Sequence, residues 1–214
     1  MPRTAAKPAG PGRPKDLEKR RAILEAAKEL FLEQGYEKVS MDAIAAAAGV
    51  SKLTVYSHFT DKETLFQEAV RARCEEHLPH EVFTFQPGAG IDATLLTIAR
   101  RFHGLVSSED SIRLHRLLAA QAPGNTKLAQ LFFEVGPRRA LGELEALLRE
   151  AAATGRLDVP EPARSAEHFL CLVKGLCHMR QLIGCCEPPG PTEAEAHLRS
   201  VVELFLRAHA PNRP

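Results

Sequence analysis

Apolar residues recur along most of this chain with the spacing of helices. Ile23, Ala27, Leu30 and Phe31 fall on one side of a helix that starts near Asp16 and that Gly35 ends. Ser40 stands before "MDAIAAAAG" as an N-cap, with Asp42 in the first turn. Gly49 stops that short helix and Ser51 caps the next. Thr60, with Glu63 three residues on, predicts a capping box opening a helix through Leu65, Phe66, Ala69 and Val70 toward Pro79. "HEVFTFQPGAG" (80–90) breaks the pattern with Pro87, Gly88 and Gly90, which predicts a linker and a domain boundary. Beyond it, Ile91, Leu95, Ile98, Phe102 and Leu105 form one stripe, and Leu114, Leu117 and Leu118 another. Residues 125–154 predict a long helical stretch with either a kink or a break at Gly136-Pro137. Two strongly apolar helices, about 162–184 and 192–209, flank "CCEPPGP". No strand or internal repeat emerges, so the expected class is all-α with nine or ten helices.

Composition narrows the picture only a little. The 214 residues are 44% hydrophobic and 26% charged, an ordinary balance for a globular chain long enough to bury a sizeable core. The formal net charge of +1 names no partner, but its distribution is uneven. Residues 1–62 carry eleven Lys and Arg against eight Asp and Glu, and the first fifteen hold four bases and no acid. A basic N-terminal end suits nucleic acid. Prolines 2, 8, 11 and 14 with Gly10 and Gly12 make 1–15 a flexible arm. No apolar run approaches the roughly 20 residues of a membrane span, and no secretory signal is evident. Five cysteines, an odd number, read as reduced thiols in a cytoplasmic protein.

The stretch "AAAAGVSKLTVYSHFTDKE" (45–63) carries the chemistry. Small residues Ala45 to Ala48 let two short helices cross closely, and a reversal within about three residues requires the positive φ that Gly49 can adopt. Ile44, Val50, Val55 and Phe59 fall inward. That is the spacing of a helix-turn-helix, whose second helix enters the DNA major groove. Lys52, Leu53 and Ser57 fall where they could meet base edges or thymine methyls, and Thr54, Tyr56 and His58 carry donors suited to phosphates. Lys62 lies in the first turn of the following helix. The same geometry also occurs as plain packing, in which case Tyr56 and His58 are half-buried boundary residues.

Nearly fifty contiguous residues, "ILEAAKELFLEQGYEKVSMDAIAAAAGVSKLTVYSHFTDKETLFQEAV", resemble the DNA-binding domain of the tetracycline-repressor (TetR/AcrR) family. The pattern is filled by Ala27, Leu30, Phe31, Gly35, Tyr36, Ser40, Ile44, Ala45, Ala48, Gly49, Val50, Ser51, Thr54, Tyr56, His58, Phe59, Lys62 and Leu65. It departs at Leu53, where a small residue is usual, and at Val55, where leucine is. The resemblance implies a three-helix DNA-binding domain over 16–62, followed by a larger helical effector-binding and dimerisation domain over 63–214. It implies that Thr54, Tyr56 and Lys62 hold phosphates, that Lys52, Leu53 and Ser57 read bases, and that Ser40 and Met41 touch the flanking backbone. "GPGRPK" resembles the basic arms that some members lay in the minor groove; a solubilising tail is the other reading.

"LFFEVGPRRALGELEALLREAAATGRLDVPEPARSAEHFLCLVKG" resembles one branch of these regulators, and the family pairs its last two long helices with a second subunit. The stripes Phe169, Val173, Leu176 and Ile183 with Leu198, Val201, Val202 and Phe205 agree with such a homodimer, as the two-fold symmetry of DNA sites would require. The family also places an effector pocket among the central helices. Phe102, Leu117, Phe132 and Phe169 are the apolar candidates for it, with Lys174 and His178 as polar contacts.

Enzyme signatures are missing: there is no Gly-rich phosphate loop, Gly-x-Ser-x-Gly elbow or paired acid motif. His168, Cys171, His178 and Cys185 share a helical face but spread over more than about 25 Å, too far for one metal ion. No cofactor is expected. The reading is a dimeric transcriptional regulator, a repressor of a palindromic operator released by a small-molecule effector. The alternatives are a helical dimerisation scaffold without DNA binding and a thiol- or metal-sensing repressor, the thiols being Cys185 and Cys186.

Overall fold

The computed structural model describes residues 13–85, 88–121, 124 and 126–211, with side chains from Asp16 onward. Among the described residues the regular structure is helical, with no strand. The helices are α1 (Arg13–Gln34), α2 (Met41–Ala47), α3 (Lys52–His58), α4 (Lys62–His77), α5 (Ile91–Val106), α6 (Glu109–Gln121), α7 (Thr126–Val135), α8 (Pro137–Ala153), α9 (Pro162–Leu182) and α10 (Pro191–Ala208). A 3₁₀ turn, His80–Phe83, follows α4. One expectation changes at the N-terminus. The first helix begins at Arg13, so residues 13–15 belong to it, while the rest of the basic arm and its minor-groove reading lie outside the described residues.

The chain divides into two compact units, the first ending at Ala69 and the second beginning at Val70. The division falls inside α4 rather than at 62/63 or in the 80–90 segment. That segment keeps Phe83 buried within the second unit's core, so it marks no boundary.

In the first unit, Ile23, Ala27 and Phe31 of α1 pack on Ile44, Val55, Phe59, Leu65 and Phe66, all at most 4% exposed. Phe31, Tyr36 and Phe66 form a triad of rings with centroids 5.3–5.6 Å apart. Serine caps set the short helices. Ser40 Oγ accepts from Ala43 N–H at 3.1 Å, and Ser51 Oγ accepts from Thr54 N–H at 3.1 Å. Between them Gly49 has φ +66°, the left-handed conformation the turn requires. The cap of α4 is Asp61, whose carboxylate accepts from Thr64 N–H at 2.7 Å. Thr60, the expected cap, instead shares a hydroxyl hydrogen bond with Thr64 at 3.2 Å.

The second unit is a helical layer around α5, α8, α9 and α10. Leu95, Ile98 and Ala99 of α5, Leu144 and Leu148 of α8, and Phe169 and Val173 of α9 are fully buried. α7 and α8 are separate helices. Gly136 lies between them and Pro137 occupies the first turn of α8, so a break occurs here and not a kink.

The kink lies elsewhere, at Gly175 inside α9, with φ 60° and ψ 179°. It frees carbonyls of the preceding turn. His197 of α10 answers them, its Nε2–H donating to the Leu172 carbonyl at 3.1 Å and lying 3.3 Å from that of Val173. No helix among the described residues is long and apolar enough to cross a membrane.

Candidate nucleic-acid interface and ligand cavity

The turn between α2 and α3 leaves one side of α3 in solvent. Leu53 is 81% exposed and Tyr56 43%, with Lys52, Ser57 and part of Thr54 on the same open surface. Local bonds hold that surface in register. The Lys52 ammonium pairs with the Asp42 carboxylate at 2.9 Å, tying α3 to α2. Ser51 and Thr54 hydroxyls share a hydrogen bond of 2.9 Å, and Ser57 Oγ donates to the Thr54 carbonyl at 2.7 Å. An exposed helix carrying a cation, a phenol, two hydroxyls and an apolar tip can offer both phosphate and base contacts.

Three of the expected contacts are placed differently. Lys62 Nζ donates to the carbonyls of Tyr36, Glu37 and Val39 at 3.0, 3.4 and 3.1 Å and sits 4.3 Å above the Tyr36 ring. Its three hydrogens are directed to the turn after α1, which it caps. Burial, with Glu63, Glu37 and Asp61 nearby, pushes the Tyr36 phenol up to about 12. His58 is turned inward. Its side chain is 10% exposed, beside the Phe59 ring and 3.3 Å from Asp16, off line for a hydrogen bond. Met41 is buried, so only its backbone could meet a phosphate; Ser40, the cap, remains exposed. Sequence reasoning passed over Lys38, which is exposed two residues before Ser40. Its signal was its place in the basic N-terminal stretch.

The second unit holds a cavity of about 280 Å³. Phe102, Leu105, Phe132 and Leu170 supply much of its apolar wall, and Val70, Arg73 and Cys74 from the second half of α4 complete one side. Arg73 pairs with Asp110 of α6 at 3.0 Å. Burial pushes the Cys74 thiol up, which keeps it protonated. Of the residues expected here, Phe102, Phe132 and Lys174 line the cavity. Phe169 does not, because it is fully buried against the Phe205 ring, 5.0 Å away. Leu117 is half-buried outside the wall. His178 lies behind His115, whose ring does line the cavity, with centroids 5.6 Å apart. Both histidines are held down to about 4. Burial is the first cause in each; His178 and Lys174 add to it at His115, and Lys174 and His103 at His178.

The apolar stripes at the chain end divide in an unexpected way. Phe169, Val173, Leu198, Val201, Val202 and Phe205 are at most 5% exposed and belong to the unit's own core. Buried in that core, they offer a second subunit little surface. Leu176, by contrast, is 75% exposed, and Leu172 and Met179 of the same helix, Ile183 at its C-cap and Leu204 of α10 are exposed with it. The thiol expectation changes too: Cys186 Sγ lies 3.9 Å from Cys177 Sγ, while Cys185 is exposed. No group of three or more His, Cys, Asp or Glu gathers as a metal site among the described residues.

An all-α chain with a capped helix-turn-helix and a separate helical unit has the architecture of a DNA-binding regulator. Residues 23–69 match the model for bacterial regulatory proteins of the tetR family, and residues 93–211 match that for the C-terminal domain of AefR-like transcriptional repressors. This chain belongs to the TetR family of transcriptional regulators and is not an enzyme. It is 29% identical over 153 residues to the uncharacterised regulator YdeS of Bacillus subtilis, covering 69% of this chain and 74% of that one. It is 30% identical over 142 residues to SrpR of Pseudomonas putida, where it spans 66% of this chain and 65% of the relative. Among solved structures, a protein described as a TetR-family regulator from Mesorhizobium loti superposes with a TM-score of 0.77 at 30% identity, covering 91% of this chain and 98% of that one. The flavonoid-responsive regulator FrrA gives 0.72 at 32% identity with the same coverage.

Proposed function

We propose that this regulator is a homodimeric, cytoplasmic repressor that binds a palindromic operator through α3 and leaves it when a small molecule fills the cavity of the second unit. The observation that carries the reading is the exposed side of α3. Lys52, Leu53 and Ser57 there are suited to base edges, and Thr54 and Tyr56 to phosphates. Ser40, the Met41 backbone and Lys38 add contacts to the flanking strand. The committed hydrogens of Lys62 argue for its removal from the contact set, and the inward turn of His58 for its own.

Control by a ligand is supported by α4. Its first half begins in the DNA-binding unit at Lys62 and its second half walls the cavity with Val70, Arg73 and Cys74. A ligand that favours one position of that half shifts the population of DNA-competent molecules by its differential affinity. That FrrA is flavonoid-responsive supports a cyclic, largely apolar effector here as well.

Tyr56→Phe tests the DNA-binding face. Loss of a hydroxyl that donates to a charged phosphate should weaken operator binding by roughly 1.5–3 kcal/mol per subunit. The melting temperature should hold, because the ring is half in solvent and keeps its packing. Normal operator affinity with early melting would make Tyr56 a packing residue and remove it from the interface.

A further inference from the structure

Resting on the reading of the cavity as an effector site, we propose that its ligand is a small, flat, mainly apolar molecule bearing one negative charge, and that Lys174 receives that charge. The size follows from the volume. About 280 Å³ lies just below the roughly 300–1,000 Å³ of ordinary small-molecule sites, so one compact molecule fills it. The shape follows from the wall, where the Phe102, Phe132 and His115 rings stand together, the last two edge to face at 5.4 Å.

The charge follows from what surrounds Lys174. Arg73, another cation on the wall, already has a carboxylate in Asp110 at 3.0 Å. Lys174 has no ion pair or hydrogen bond among the described residues. Its described contact is the face of the Phe102 ring, with Nζ 6.0 Å from the centroid, the outer limit of a cation–π attraction. Arg139, also on the wall, likewise has no ion pair among the described residues. Glu167, a carboxylate that also lines the cavity, lies two turns earlier on α9, about 10 Å from Lys174 along the helix axis, and is exposed.

The remaining titratable groups nearby are neutral at pH 7. His115 and His178 are held near 4 by burial and the adjacent Lys174 charge, and Cys74 is kept a thiol. Besides the paired Arg73, the wall therefore offers aromatic faces and two half-buried cations, Arg139 and Lys174. Lys174 is the one set over an aromatic ring, that of Phe102, and the wall's carboxylate, Glu167, makes no ion pair with it among the described residues. An aromatic carboxylate or phenolate supplies both the rings and the counter-charge. A neutral molecule of the same outline would fill the space and leave the ammonium less well solvated than in the empty cavity.

Calorimetric titration of the full-length protein at pH 7.5 with 2-naphthoate and with 2-naphthamide, equal in outline and different in charge, tests this. The expected result is naphthoate binding tighter by about tenfold or more. Lys174→Gln should erase that preference, weakening naphthoate and leaving naphthamide bound at least as tightly as before, and Lys174→Arg should keep it. Equal affinity of the two probes for the wild type, or a preference that survives in Lys174→Gln, overturns the charge assignment and leaves the cavity standing as a ligand site. Failure of both probes to bind overturns the proposal together with the effector reading of the cavity.

Discussion

Lys62 commits its ammonium to the carbonyls of Tyr36, Glu37 and Val39, so its removal strips three acceptors of their donor and takes a cation from the Tyr36 ring. Lys62→Ala should lower stability by about 1–3 kcal/mol in urea unfolding, with the salt slope of DNA binding unchanged. A salt slope lower by about one per subunit, with stability intact, would return Lys62 to the phosphate contacts. His115 and His178 make a second residue-scale case. Their folded values, about 4, lie below the ordinary 6.5, so between those limits the unfolded chain binds more protons than the folded one. Stability is then full above about pH 6.5 and falls as the pH drops toward 4. The loss expected is about 2–4 kcal/mol between pH 7 and 4.5, read from urea midpoints. His178→Phe should flatten that acid limb, and an unchanged limb would place the sensitivity in other groups. Both cases show why side-chain roles were only partly legible. Spacing located Lys62 on α4 and His58 on α3, but whether a lysine reaches DNA or folds back onto three carbonyls depends on where the turn after α1 ends. Sequence spacing does not carry that distance.

Elements were more legible than roles, because caps and turns are local. Ser40, Gly49 and Ser51 mark the helix-turn-helix in the sequence and act as expected in space, since each bond they make spans about three residues. The α4 cap moved by one residue, to Asp61, whose carboxylate accepts from Thr64 N–H, where a Thr60 cap would have taken the N–H of Glu63. The break in α9 could not be read at all. A lone glycine within a helical pattern ordinarily costs only about 1 kcal/mol and leaves the helix intact. Here the neighbouring helix makes the break tenable, through His197 on the Leu172 carbonyl. An added Cβ at Gly175 would lie 3.0 Å from His197 Nε2, and φ 60° with ψ 179° is a conformation essentially reserved for glycine. Gly175→Ala should therefore destabilise the second unit by about 1–3 kcal/mol. Thermal melts of this variant against Gly142→Ala, whose Cβ would meet no atom within 4 Å, decide the matter. A Gly175→Ala protein as stable as wild type would show that the break is not required.

At the scale of the whole molecule, the apolar stripes of α9 and α10 have to serve two surfaces, and periodicity alone does not say which residue serves which. Val202 illustrates the difference. At 5% exposure it lies in the second unit's own core, so Val202→Asp would bury an unpaired charge and unfold that unit, whatever its oligomeric state. Leu176 is the discriminating position. Three quarters of it is in solvent, and with Met179 and Ile183, the residue that caps α9, it repeats at intervals of three and four after the Gly175 break, with Leu172 exposed before it. A second copy of the chain, brought up about a two-fold axis, would place that stripe against its own equivalent. Leu176→Asp should then leave the melting temperature of the isolated chain nearly unchanged while two carboxylates oppose each other across the seam. Sedimentation at micromolar concentration should show wild-type dimers and Leu176→Asp monomers. Operator affinity should fall with dimerisation, because two recognition helices one DNA turn apart, roughly 34 Å, share a single placement cost that a lone helix bears by itself. A variant that sediments as a dimer, or a monomer that protects a palindromic site with full affinity, would move the subunit interface away from this face of α9.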